Sequence, residues 1–344
     1  MKTTKVHFTD PHIELAHGAG GKASRRLIEG LLLPYLMNDM LMELNDVAYI
    51  DTTGSRLAFT VDSFVVKPLV FPGGSIGELA INGTVNDLAM GGAKPLALVT
   101  TLILEAGLET SELEREIRAM AKAAKRAKVS VVGGDTKVVE HGKADGLFIT
   151  TAGIGLTDTR VNLSPKNVRP GDQVILSGPI GDHGITVLLA RGELELEADI
   201  TSDTRPLWPF VSTLIDVAAP GLRWLRDPTR GGVATALNEL ARDAKIAVVL
   251  DDEEIPVRPA VRGACEILGL DPLHIANEGQ FLVIVSPEYA EIALEALKKV
   301  PGGEEARRIG EIQKEPKRAV LARSRYGGTR IIDMLVGDPL PRIC

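Results

Sequence analysis

Asp46, Asp62, Asp87 and Asp135 carry the first chemical signal in this sequence. They stand in LNDVAYI, TVDSF, TVNDLAMGGA and VVGGDTK, where Asp62 ends a strand, Asp87 lies on a helix that runs into a glycine pair and Asp135 follows a strand and a glycine pair. Carboxylates so placed suit Mg²⁺, a hard cation that takes oxygen ligands and phosphate together. Any one of them could equally cap a helix or close a turn, but the four together argue for a metal. Asn86 precedes Asp87 on a mostly apolar helix, where two polar side chains are costly unless partnered.

Three glycine-rich segments supply possible anion cradles. HGAGGKASRRLIEG (17–30) sets Gly18, Gly20, Gly21 and Lys22 before a helix, with Arg25 and Arg26 close behind. Glycines let backbone N–H groups turn toward an anion, and a helix start adds partial positive charge. Position 16 is Ala, so the Walker A spacing fails, and no strand precedes the segment as a dinucleotide fingerprint requires. A flexible linker is the other reading. Gly133 and Gly134 precede Asp135, and Arg230 stands beside Gly231 and Gly232 in DPTRGGVATALNELA (227–241). His17 borders the first loop and reads as a hydrogen-bonded loop residue. The six histidines show no HxH or HxxxH spacing and there is no CxxC, so a zinc or iron site is not expected.

Lys137, between GGDT and VV, could meet a phosphate or an oxyanion, or lie on a solvated face. Glu278, in ANEGQFLVIV, could act as a general base or cap its loop. Cys265, in VRGACEILGL, reads as a small buried hydrophobe. Cys344 closes GDPLPRIC and is not the fourth residue from the end, so it is no prenylation signal. The prolines of that tail favour an extended chain, and eight residues at about 3.1 Å each span roughly 25 Å. A thiol there is nucleophilic as thiolate, with a reference pKa near ~8.5. Arg342 could offset the neighbouring carboxylate or dock the tail. A disordered end with an incidental Cys is the competing reading.

The elements that must position these groups alternate between strand and helix. LAFTVDS (57–63), PLALVTTLIL (95–104), VSVVGGD (129–135) and GLFITTAGIGL (146–156) read as strands. Helices are expected at 75–93, with a Ser75–Glu78 capping box and a Gly91–Gly92 stop, and at 110–128. After the polar RVNLSPKNVRPGDQ (160–173) the pattern restarts. Strands are expected at 174–178, 247–250 and 280–286, and helices at 208–220, 232–245 and 287–300. Long apolar strands beside amphipathic helices imply an α/β fold with helix-covered sheets. The length of 344 residues suggests two domains, 1–160 and 161–332, followed by a mobile tail over 333–344. A net charge of −7 argues against non-specific nucleic-acid or anionic-membrane binding. With no apolar run of about 18 residues and no signal-peptide pattern, a cytoplasmic protein is expected.

VDSFVVKPLVFPGGSIGELAINGTVNDLAMGGAKP, VVGGDTKVV, DPTRGGVATALNE, ANEG and the final PRIC, in this order over nearly the whole chain, resemble the HypE family of hydrogenase maturation proteins. The internal motifs are similar to the wider group that includes aminoimidazole ribonucleotide synthetase and thiamine-monophosphate kinase. The final PRIC is what points to HypE within it. The resemblance implies a two-domain PurM-like ATP-binding fold. Its N-terminal domain would pair two copies through its sheet, with ATP in a cleft near the seam. It implies ATP and Mg²⁺ as cofactors and the ATP-dependent conversion of a carbamoyl group on the Cys344 thiol into a thiocyanate, the source of a cyanide ligand for hydrogenase iron. It further implies Lys137 and Glu278 at the carbamoyl end. The implied partners are a HypF-like carbamoyltransferase and a HypC–HypD-like iron-carrying complex. Two other readings stay open: a small-molecule ATP-dependent synthetase or kinase of the same group, and a nucleotide-switched scaffold or thiol carrier.

Overall fold

The computed structural model describes residues 7–18, 20–36, 38, 46–192, 198–337, 340 and 342–344. Pro339 and Pro341, on which the extended-tail expectation leans, lie outside them. Two sheets dominate the described residues. The first has strand order β1-β2-β7-β5-β6, with β1 (Ala48–Thr52), β2 (Ser55–Phe64), β5 (Ala93–Glu105), β6 (Ser130–Val139) and β7 (Leu147–Thr157). The short strands β3 (Val70–Phe71) and β4 (Gly74–Ser75) pair with each other. Strand β2 shows why one face is covered: Ala58, Thr60 and Phe64 are buried, and the alternating Phe59 and Val61 are exposed. Helices α3 (Ile76–Met90) and α4 (Thr110–Ala127) pack on the buried face. The opposite face leaves Phe59, Val61, Leu96 and Val99 open to solvent.

The start of α3 departs from the expected capping box. The Ser75 Oγ has no hydrogen-bond partner, and Glu78 pairs with Arg126 instead. The helix amides are satisfied from elsewhere: Ile76 N donates to Leu69 O and Gly77 N to the buried Glu116 carboxylate at 3.1 Å. Glu116 on α4 thus does the capping across the helix pair.

The second sheet runs β14-β13-β10-β12-β8-β11-β9. Its strands are β8 (Gln173–Leu176), β9 (Leu222–Arg226), β10 (Ala247–Asp251), β11 (Leu282–Val285), β12 (Arg307–Gln313), β13 (Ala319–Arg323) and β14 (Thr329–Ile332). Both faces are covered. On β11, Leu282 and Ile284 enter the core beneath α7 (Gly232–Ala244), while Val283 and Val285 enter the core formed with α6 (Trp208–Ala218) and α9 (Pro287–Lys299). A strand buried on both sides reads as a continuous apolar run, as FLVIV does. Helices α5 (Asp182–Ala190) and α8 (Pro259–Leu268) complete this half, and α1 (Gly21–Leu27) and α2 (Leu33–Leu36) precede the first sheet. Cys265 on α8 is buried in the core, and burial raises its thiol pKa to about 11.

Candidate active site

Asp46, Asp87 and Asp227 converge: their carboxylate oxygens lie within 4.8 Å of one another. Asp46 comes from the segment before β1, Asp87 from the last turns of α3, and Asp227 from the residue after β9. Asp62 on β2 is near enough to act electrostatically on all three. Thr60, two residues before it, donates its hydroxyl to Asp87 Oδ2 at 2.9 Å. The cluster therefore sits between the sheets, with α3 spanning both.

Like charges in a buried site hold protons tightly. Burial, followed by the Asp46 charge, raises Asp227 to about 7. Burial first, and then Asp227, Asp46 and Asp62, push Asp87 well above the carboxylate range. Asp46 and Asp62 also rise through burial, opposed by Arg226 and Arg230 respectively. This is a set of oxygen donors with more negative charge than the surrounding protein neutralises. It fits a hard divalent cation such as Mg²⁺.

Glu278 lies 3% exposed against the same cluster, and burial, Asp227 and Asp62 raise its pKa strongly. Its loop is rigidly held. Asp203 accepts from Glu278 N and Gly279 N at 3.0 and 3.1 Å. Asn86 Nδ2 donates to Glu278 O at 3.2 Å and to Arg205 O at 3.0 Å, while Asn86 Oδ1 accepts from Leu207 N at 2.8 Å. Asn86, expected to bind the cofactor, instead spends its amide on these backbone groups and braces the Glu278 loop.

Next to the cluster is a cavity of about 440 Å³ lined by the first glycine loop and the DPTRGG segment. Gly18, Gly20 and Gly21 form one wall, and Arg226, Thr229 and Arg230 the other. Arg230 Nη1 donates to Gly18 O at 2.9 Å. Two segments read separately as anion loops thus form one pocket. Lys22 and its helix start, however, are committed elsewhere. Lys22 Nζ pairs with Asp333 at 2.6 Å, and the amides of Lys22 and Ala23 donate to the carbonyls of Leu335 and Val336. Arg25 reaches Glu29 and Glu239, Arg26 reaches Asp10, and His17 is held by Asp10 and Glu14 N.

Gly133, Gly134, Asp135 and Lys137 do not join this site within the chain. Strand β6 continues past the expected end at 135 to Val139, so all four residues lie along an edge strand. Gly134 serves the pairing itself, because a Cβ there would fall 2.0 Å from Thr100 O. Asp135 pairs with Lys137 at 2.6 Å, and both are exposed. In the strand register Asp135 is three strands from Ser63, next to Asp62, which amounts to about 14 Å at normal strand spacing.

The tail, expected to be mobile, is docked over its described residues. Cys344 O accepts from Val65 N at 3.0 Å, and Arg342 O accepts from Lys67 N at 3.4 Å and from Arg191 Nη2 at 3.0 Å. Arg342 returns bonds to Val65 O and pairs with Asp145. Ile343 is 1% exposed in the apolar core against which Cys344 also packs. Val65 is three residues from Asp62, about 10 Å along an extended chain, so the tail end is docked against the same run of chain that carries Asp62.

Sequence reasoning missed Asp227 and Arg226. Arg226 Nη1 holds Asp46 Oδ1 at 2.9 Å and its Nη2 holds Glu239 at 3.1 Å. The signal was LRWLRD, a short apolar stretch broken by Arg223 and ending in a charged pair. Without β9 recognised, nothing marked Asp227 as a strand-end carboxylate.

The comparisons agree with this architecture. Residues 44–157 match the family described as AIR synthase related protein, N-terminal domain, and residues 169–322 match its C-terminal domain. The fold and the buried carboxylate cluster thus define a two-domain AIR synthase-related protein. The chain is 48% identical to the carbamoyl dehydratase HypE of Azotobacter vinelandii over 341 residues, covering 99% of this chain and 100% of the relative. It is 43% identical to the carbamoyl dehydratase HypE of Escherichia coli K12, covering 97% and 99%. A crystal structure of HypE in complex with ATP matches at a TM-score of 0.81 and 44% identity, covering 97% of this chain and 100% of that one. A HypE–HypF complex matches at 0.85 and 44%, covering 90% and 99%. The chain belongs to the carbamoyl dehydratase HypE family. No helix among the described residues is long and apolar enough to cross a membrane.

Proposed function

We propose that this chain is an ATP-dependent carbamoyl dehydratase that carries its substrate on Cys344. The observation supporting this most directly is the Val65 N to Cys344 O bond, which seats the carrier residue beside the strand of Asp62. The thiocarboxamide S–C(=O)–NH₂ must lose its oxygen to become S–C≡N. Its oxygen attacks the γ-phosphorus of ATP and ADP leaves. The two N–H protons then depart as the C–O bond breaks and phosphate is released. Asp46, Asp62, Asp87 and Asp227 would hold Mg²⁺, which when bound neutralises phosphate charge. The pocket between the glycine loop and Arg230 would take the nucleotide, with the backbone of Gly18, Gly20 and Gly21 and the Arg230 guanidinium as its polar walls. Glu278 is the proton acceptor: a carboxylate whose affinity for protons is raised by burial is the stronger base once ionised.

Lys137, which would supply the cation at the carbamoyl oxygen, and Asp135 reach this site from a second copy of the chain. Two copies pair through the open apolar face of the first sheet, at Phe59, Val61, Leu96 and Val99. A HypF-like carbamoyltransferase loads Cys344, an iron-carrying maturation complex takes the cyanide, and the cytoplasm is the setting. Mass spectrometry of the C-terminal peptide after incubation with carbamoyltransferase, carbamoyl phosphate and ATP tests the reading. The expected product is a thiocyanate on Cys344. A carboxamide that persists with ATP present would refute it.

A further inference from the structure

His183 on α5 is buried and uses both ring nitrogens. Its Nε2 lies 2.9 Å from Ile343 O, a group that can only accept, so the proton sits on Nε2. Nδ1 then accepts from the Ser202 hydroxyl at 2.8 Å. Ser202 is itself fixed: its Oγ accepts from Thr204 N at 3.2 Å and its N donates to Pro72 O at 2.9 Å. Phe71 meets the ring edge-on, with centroids 5.5 Å apart. Three separate segments therefore lock one tautomer of one imidazole, and that imidazole holds the peptide that leads into Cys344. Burial lowers His183 to a pKa of about 4, so the ring is neutral.

The site already described does not use this histidine. We propose that His183 is a positioning residue for the Cys344-borne group: its hydrogen bond to Ile343 O latches the tail in the register that presents the thiol to the carboxylate site. This rests on the reading of Cys344 as the carrier. Val65 and Lys67 hold the tail's backbone on one side and His183 holds it on the other. Together they fix the peptide planes on either side of Ile343, and this turns a tethered encounter into a preset one. The latch must open when Cys344 is delivered to a carbamoyltransferase, because a partly buried docked thiol is not presented to a second protein. A neutral donor to a carbonyl, without an ion pair, is strong enough to order the tail and weak enough to release it.

The test compares His183→Phe, which keeps an edge for Phe71 but removes the donor, with His183→Gln, whose side-chain amide can replace it. Maleimide labelling reads tail docking directly, since Cys265, the other cysteine, is buried with its thiol pKa raised. His183→Phe should label at Cys344 at least about tenfold faster than the parent, and His183→Gln should stay near the parental rate. In single turnover the Phe variant, once carbamoylated, should dehydrate at least about tenfold more slowly. Its ATP affinity and its loading by the carbamoyltransferase should be undiminished. Ser202→Ala, which leaves the imidazole in place but loosens its tautomer, should give a smaller change in the same direction and serves if the Phe variant does not fold. Parental labelling and dehydration in a folded Phe or Ala variant would overturn the latch. Labelling does not use the reaction, so a parent that never forms thiocyanate counts against the proposed function and leaves labelling to decide the latch.

Discussion

Arg226 Nη1 lies 2.9 Å from Asp46 Oδ1, while Nη2 of the same guanidinium lies 3.1 Å from Glu239 Oε2. One cation therefore ties the carboxylate cluster to the wall of the glycine-loop cavity, where Arg226 and Glu239 both appear. The pKa of Arg226 is raised by Asp46, Glu239 and Asp227 in spite of the opposing cost of burial.

Arg226→Met keeps much of the stem and removes the charge. The half-buried Asp46 and Glu239 then lose their shared cation, so the nucleotide-free protein should lose about 1–3 kcal/mol at pH 8. The deficit should shrink at pH 6, where the carboxyls recover neutrality by taking up protons. Urea unfolding at the two pH values checks this, and an equal deficit at both would contradict it.

The pH dependence of the cluster has a definite sign. Asp227 holds its proton to about pH 7 in the folded chain, against an ordinary aspartate value of 3.8. The folded state thus binds more protons between these values, and stability falls as pH rises through that window. Above it the loss is complete. Mg²⁺ binds the ionised form, so the rise in melting temperature on adding Mg²⁺ should be larger at pH 8 than at pH 6. Asp227→Asn should flatten this part of the stability profile and weaken Mg²⁺–ATP binding. Differential scanning calorimetry with and without Mg²⁺ measures both.

The sheets and long helices were legible because their apolar patterns are long and periodic; α4 runs Thr110–Ala127 against an expected 110–128. Strands β12, β13 and β14 were not: RRIGEIQ and TRII mix charges into short segments, and β8 and β10, the partners of β12, lie far away in sequence. At the site, Asp62, Asp87 and Glu278 could be picked out one by one from their strand-end or glycine-flanked settings, and Asp46 as a further carboxylate in LNDVAYI. Their convergence could not, because α3 carries Asp87 into a gap that only β9 and Asp227 close. The Ser75–Glu78 capping pattern misled for a similar reason: Glu116 lies 39 residues away from Gly77. The glycine pair 133–134 fell within an expected strand, but the reason for it, close pairing with Thr100, depends on a strand partner that the local sequence does not reveal.

Glu278→Gln removes the proposed proton acceptor and leaves its loop bonds, which are made by the backbone. Dehydration should fall by about 10²–10⁴ with carbamoyl loading intact. Lys137→Ala should do the same. If Lys137 serves the partner's site, mixing the two inactive variants should restore activity. In a randomly mixed twofold dimer, half the pairs carry one intact site of two, or about a quarter of parental turnover. No recovery on mixing would assign both residues to the same chain.

Gly21 links the glycine loop to the tail root. Its φ is +73°, and a Cβ there would lie 2.5 Å from Leu335 O. Gly21→Ala therefore forces either a strained helix start or withdrawal of the carbonyl that accepts from Lys22 N, at a cost of about 1–3 kcal/mol. Withdrawal is the cheaper route, because the Lys22–Asp333 pair behind it is exposed and weak. Hydrogen exchange should then show the amides of Lys22 and Ala23 losing protection while the α3 amides keep theirs. A chain ending at Ile332 should show the same pattern, since it lacks the carbonyls of Leu335 and Val336 altogether. Unchanged protection at both amides in Gly21→Ala would mean that the loop, not the tail, absorbs the added methyl.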